Sequence, residues 1–237
     1  MTRASRGRRA LGLAAALLAL AAGGAAAHGP AAAPPAPDVF LQGAFTPAYE
    51  PPAPGTYELP AIRRVPAFAL IDTEGRRVST RDLVRGRAAV VSFIYTACSD
   101  QMGCPLASAA LHDLQVRLRE AGLAGQAMLL SISFDPERDR PRHLASYARA
   151  YEADPAVWRF LTARSDREIQ AVLDAYGQDR QRVRDERGRF TGSYRHVLKV
   201  FLVDEGGWIR NVYSAGFLVP EVVVNDLRTV LAPPPHR

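Results

Sequence analysis

A continuous apolar run, Ala88 to Tyr95, leads directly into the chain's two cysteines, Cys98 and Cys104, and Pro105 follows the second. The run is short and rich in β-branched and aromatic residues, which predicts a strand buried on both faces. Pro105 suits the opening of a helix, where a missing N–H leaves no bond unmade. From Pro105 to about Ala121, the residues Leu106, Ala109, Ala110, Leu114 and Leu118 share one helical face, and Gly122 ends it. A central strand must therefore turn straight into a helix, and that turn carries both sulfurs. Cys98 is expected at the strand end and Cys104 at the helix cap. Backbone N–H groups there carry partial positive charge and favour thiolate over thiol.

The first residues have a different purpose. Arg3, Arg6, Arg8 and Arg9 precede an apolar stretch from Ala10 to about Ala22, and Ala25-Ala26-Ala27 is an A-x-A cleavage pattern. The stretch is shorter than a spanning helix needs, so residues 1–27 read as a signal peptide, with an uncleaved N-terminal anchor as the alternative. No cysteine lies beside the cleavage pattern to carry a lipid. Removing residues 1–27 takes away four arginines and no acids, so the formal charge falls from +6 to +2. Nothing then demands nucleic acid as a partner. Residues 28–60 are rich in Pro, Ala and Gly and read as a linker. Residues 61–231 are long enough for one domain with a full core, and 232–237 form a tail.

Export sharpens the question of the cysteines. Two cysteines in an exported chain are by default a structural disulfide. A domain of this size is stable without such a staple, and a loop of a few residues restrains the unfolded chain least. A chemical role therefore competes with the structural one.

The remaining elements follow from pattern. Phe68 to Ile71 and Val78 flank the turn Asp72-Thr73-Glu74-Gly75, a hairpin. Ser79 or Thr80 caps a short helix through Leu83 and Val84 that Gly86 stops. Ala127 to Phe134 reads as a second buried strand, Arg142 to Tyr151 as a helix, and Trp158 to Leu161 as a strand. Ser165 caps a helix that stops at Gly177. Val197 to Val203 and Trp208 to Tyr213 flank Asp204-Glu205-Gly206-Gly207 as another hairpin, and Val219 to Leu231 is a closing helix. The arginine-rich stretch Arg180 to Arg189 reads as a solvated loop, with docking to an acidic partner as the alternative. The order is that of an α/β, thioredoxin-like fold: a central mixed sheet, helices on both faces and an N-terminal hairpin extension.

Three segments together resemble the SCO/SenC family of thioredoxin-fold, copper-binding proteins of cytochrome c oxidase assembly. They are Phe93-Ile94-Tyr95-Thr96-Ala97-Cys98 with Cys104-Pro105, then Asp135-Pro136-Glu137-Arg138-Asp139, then His196 ahead of Val-Phe-Leu-Val-Asp204. The family pattern has three residues between its cysteines where this chain has Ser99 to Gly103, and serine where this chain has Val197. The resemblance implies a copper ion held by Cys98, Cys104 and His196. It also implies delivery of copper to a respiratory oxidase subunit or other copper-receiving protein, and a thiol reductant protein that keeps the pair reduced. The expected location is periplasmic or otherwise extracytoplasmic, either free or held by a membrane tether through the N-terminus.

Two thiolates and an imidazole are a soft donor set that suits Cu(I). Thioredoxin-like reductases place a cis-proline opposite the active-site cysteines, and Ser193-Tyr194-Arg195-His196 has none. Met102 is either an extra weak ligand or an apolar cover. Asp100 and Asp135 either orient His196 or serve as turn residues. His28 would bind metal only as a new N-terminus. The competing function is a thiol–disulfide oxidoreductase without metal, using Cys98 and Cys104 as its redox pair.

Overall fold

A computed structural model describes residues 49–214 and 217–232. The leader, His28 and most of the linker lie outside the described residues. The elements in chain order are β1 (Arg63–Arg64), β2 (Ala69–Asp72), β3 (Arg77–Ser79), α1 (Thr80–Leu83), β4 (Ala88–Ile94), α2 (Cys104–Glu120) and β5 (Ala127–Ser133). They continue with α3 (Pro141–Ala150), β6 (Trp158–Thr162), α4 (Asp166–Tyr176), β7 (Arg180–Arg184), β8 (Phe190–His196), β9 (Val200–Val203), β10 (Trp208–Tyr213) and α5 (Pro220–Leu231).

Eight strands form one mixed sheet in the order β1-β10-β9-β4-β5-β6-β2-β3. The parallel centre, β4 beside β5 beside β6, runs in register from Ala88↔Ala127 to Ile94↔Ser133. Every residue of β4 and β5 is buried, so helices and loops cover both faces there. This is why both strands read as unbroken apolar runs. Their two serines cause no polar loss: Ser92 and Ser131 hydroxyls pair at 3.0 Å, and Trp158 Nε1 donates to Ser131 at 2.9 Å. The hairpin β2–β3 extends the sheet at the β6 edge.

Local signals act as their chemistry requires. Ser165 Oγ accepts the Glu168 N–H at the start of α4, and Gly177 closes that helix at φ +66°. On the other side of the sheet centre, β9 returns antiparallel to β4, with Val200 opposite Ser92. The chain entering β9 thus arrives at the end of the sheet where β4 stops.

Three boundaries differ from the sequence reading. The stretch from Arg180 to Arg189 is no loop: β7 and β8 pair as a separate two-stranded hairpin, Arg180↔His196 and Arg182↔Tyr194. The strand expected from Val197 begins only at Val200, because Gln178 Nε2 takes the Val197 carbonyl at 3.0 Å and holds it out of the ladder. The cap of α2 is Gly103, whose carbonyl receives the Ala107 N–H, so Cys104 occupies the first helical position instead.

Candidate metal centre

After Ile94 the chain leaves the sheet in a turn closed by the Cys98 N–H on the Tyr95 carbonyl, 3.2 Å. Cys98 therefore sits beyond the strand rather than at its end. Asp139, buried behind this turn, fixes it. Its carboxylate accepts the Thr96 N–H at 2.9 Å, the Thr96 hydroxyl at 2.6 Å and the Ser133 hydroxyl at 2.6 Å. Asp100 then shapes the longer inter-cysteine loop: its carboxylate accepts the Met102 N–H at 3.0 Å and its carbonyl the Gly103 N–H at 2.9 Å. Met102 itself is exposed.

Both sulfurs are buried and unbonded to each other. His196, at the end of β8, brings Nε2 to 3.8 Å from Cys104 Sγ across 92 residues of sequence. One donor atom each from Cys98, Cys104 and His196 lie within 4.8 Å of one another. Three donors around one trigonal ion at about 2.0–2.3 Å stand roughly 4 Å apart. The triangle fits a small soft cation after a contraction of less than about 1 Å.

The two thiols are electrically unequal. Cys98 is lowered to about 4, first because the Cys104 thiol hydrogen-bonds to it, then through His196 and backbone hydrogen bonds from Cys104 and Asp100. Cys104 is pushed well up by burial and by the charge on Cys98. One proton therefore stays on Cys104 and Cys98 carries the charge. This reverses the simple expectation for a helix-start thiol: for Cys104 burial outweighs the favourable backbone contribution. The Tyr95 hydroxyl is likewise raised, by burial and by Cys98.

Aromatic rings wall the imidazole. Phe134 meets it edge-on at 5.0 Å and Tyr95 at 6.0 Å, and Tyr194 packs against both. Neither Asp100 nor Asp135 hydrogen-bonds to His196. Asp135 instead accepts the Tyr194 hydroxyl at 3.1 Å, two residues before the histidine. Among the described residues no peptide bond is cis, in keeping with the lack of proline in Ser193-Tyr194-Arg195-His196. A cleft of about 400 Å³ lies at the other end of the sheet, between Val65, Thr80, Tyr176 and Gly207. It takes no part in this centre, which needs room for one ion only.

Sequence reasoning brought the three donors together but missed what supports them. Asp139 stood unremarked inside the Asp135–Asp139 segment. The alternation Arg180-x-Arg182-x-Arg184 followed by Phe190-x-Gly192-x-Tyr194-x-His196 is a period-two strand signal, masked by the density of charge.

Comparison with known proteins places this geometry in context. The SCO1 protein homolog of Bacillus subtilis is 32% identical over 111 residues, which are 47% of this chain and 55% of that protein. The chain thus spans about half the length of that curated relative. The structure of BsSco, a member of the Sco family of cytochrome c oxidase assembly proteins in which a disulfide switch was identified, superposes with TM-score 0.55. It is 25% identical, over 71% of this chain and 93% of that one. ScoI of Bradyrhizobium japonicum, solved with copper bound, shares the fold at TM-score 0.57 and 24% identity, over 70% of this chain and 99% of that one. The SCO1/SenC family model matches residues 58–232, the whole described domain from Glu58 onward, and the chain belongs to that family.

Proposed function

We propose that this domain binds one copper ion through Cys98, Cys104 and His196 and hands it to a copper-receiving subunit of a respiratory oxidase. The observation that carries the reading is the triangle of two sulfurs and one imidazole nitrogen within 4.8 Å. Two thiolates and one imidazole form a soft, low-coordinate set that suits Cu(I). A three-donor set leaves a direction from which a recipient's ligands approach, as transfer requires. The BsSco likeness supports a place in oxidase assembly.

Copper loading requires the dithiol. If Cys98 and Cys104 join as a disulfide, two electrons leave with the one proton that Cys104 holds, and a thiol reductant must return them before copper binds. A second reading has its own support. Cys98 is a low-pKa thiolate beside a protonated partner, the arrangement of an attacking and a resolving cysteine in thiol–disulfide exchange. The domain then reduces client cysteines without a metal role.

We place the protein outside the cytoplasm, on the strength of the Arg-rich leader and its A-x-A site. Among the described residues no helix is long and apolar enough to cross a membrane. Anaerobic titration with Cu(I) under a competing chelator, with X-ray absorption on the product, tests the reading. One copper with two sulfurs and one nitrogen is expected, and His196→Ala should weaken binding about tenfold or more. Unchanged affinity in that variant would remove the copper reading, and a reductase would keep its turnover.

A further inference from the structure

His196 does not belong to the main sheet. It ends a two-stranded hairpin, β7–β8, that among the described residues pairs with no other strand. An isolated hairpin of this length is marginal in water, so where it sits depends on what docks it. Its inner face is docked by arginines. Arg138 reaches from the segment after β5 to the Asp135 carboxylate and the Gly192 carbonyl, and lies over the Phe190 ring at 5.0 Å. Arg182 donates to Glu137 at 2.9 Å and to Asp166 at 3.2 Å. Both side chains are partly open to solvent, at 38% and 29%.

Arg180 differs in burial and in location. Its side chain is 4% exposed, and in the hairpin ladder it stands directly opposite His196. One guanidinium nitrogen donates to the Phe134 carbonyl at the end of β5, and Phe134 is the residue whose ring lies 5.0 Å from the imidazole. Another donates to Asp166 at 2.5 Å, the first residue of α4. The guanidinium also stacks on Tyr194 at 5.5 Å. Behind it Gln178 donates to the carbonyls of Asp179 and Val197 and closes the open end of the hairpin.

Resting on the copper reading above, we propose that Arg180 is the positioning residue for the His196 ligand. It locks the end of β8 to β5 and α4, so that the imidazole meets Cys104 without a search over the intervening 92 residues. Three separate directions are satisfied by one planar fork with several donors, which a lysine ammonium cannot reproduce. The clamp acts on the ring's location alone and leaves the thiols to their own loop.

A double-mutant cycle decides it. Arg180→Gln should weaken Cu(I) binding about tenfold, the usual cost of losing a residue that orients a ligand. In a His196→Ala background the same change should cost nothing further. The Cu(II) form of Arg180→Gln should keep its thiolate-to-copper absorption and lose nitrogen hyperfine structure in electron paramagnetic resonance. Arg180→Lys should restore only part of the affinity. An equal loss with and without His196, or intact nitrogen coupling in Arg180→Gln, would overturn the proposal. If that variant does not fold, Asp166→Asn removes the exposed partner and should show the same non-additivity; additive losses there overturn it equally. Hydrogen exchange on the metal-free protein separates the two readings. Faster exchange at Tyr194 to His196 in Arg180→Gln supports the clamp even if His196→Ala shows that copper does not use the imidazole, and unchanged exchange sinks it.

Discussion

At the scale of single residues, the unequal thiols govern how the site responds to pH. Cys98 is already a thiolate above about pH 4, whereas Cys104 keeps its proton well past neutrality. A copper ion that binds both sulfurs near neutral pH should therefore displace one proton, not two. Calorimetry in buffers of different ionisation enthalpy should return a release near one. Affinity should climb about tenfold per pH unit near neutrality, and more steeply in acid, where Cys98 must lose a proton as well. Asp139 is the residue on which the thiol loop leans. Asp139→Ala leaves the Thr96 N–H and hydroxyl and the Ser133 hydroxyl without their acceptor. We expect a loss of about 3 kcal/mol in urea unfolding, since each stranded buried polar group costs roughly 1–3 kcal/mol. The cysteines could be picked out because the chain has only two, and the histidine because its segment resembles that of a known family. Asp139 could not, because an aspartate that accepts three hydrogen bonds has the same letter as one on the surface.

At the scale of elements, the central strands and long helices were legible because periodicity and punctuation agree. Ala88–Ile94 is an unbroken apolar run, and Ser165 and Gly177 bracket α4 with a cap and a left-handed stop. The hairpin β7–β8 was not legible, for a physical reason. Its apolar stripe is short, Phe190 and Tyr194, with Tyr194 buried against Tyr95 and Phe134, and arginines on other elements and on β7 supply the rest of the docking. Gly192 gives a test at this scale. Its φ is +93°, and an added Cβ would stand 2.6 Å from Arg138 Nη1. Gly192→Ala should therefore loosen the hairpin on two counts, strained backbone and a displaced arginine. Hydrogen exchange should rise through β8 while β4 and β5 stay protected, and metal affinity should fall with unfolding free energy nearly unchanged.

At the scale of the whole molecule, the chain ahead of the first strand is part of the packed unit rather than a free lead-in. The Tyr57 hydroxyl donates to Asp226 at 2.6 Å, where Asn211 and Tyr213 donate to the same buried carboxylate, each at 2.7 Å. Gly55 N–H reaches Thr229 at 3.0 Å, and Arg210 takes the Leu59 carbonyl. Residues near 55–59 thus bind α5 and β10, at the side of the sheet remote from β6. Tyr57→Phe should lower stability by about 1 kcal/mol, the worth of one such hydrogen bond, visible as a drop in Tm with copper stoichiometry unchanged. A larger loss after deletion of residues 1–60 than in Tyr57→Phe would show that the whole arm, not one hydroxyl, holds the helix.

Composition, periodicity and turn chemistry by themselves determined the central strands, the long helices and the pair of thiols at a strand-to-helix turn. These are local properties, written within a few residues of where they act. The approach of His196 to Cys104, the inequality of two sulfurs with the same letter, and the arginine clamp beneath the histidine were decided only in three dimensions. Each depends on burial and on partners many residues away, and none exists until the sheet has brought the end of β4 beside the chain entering β9.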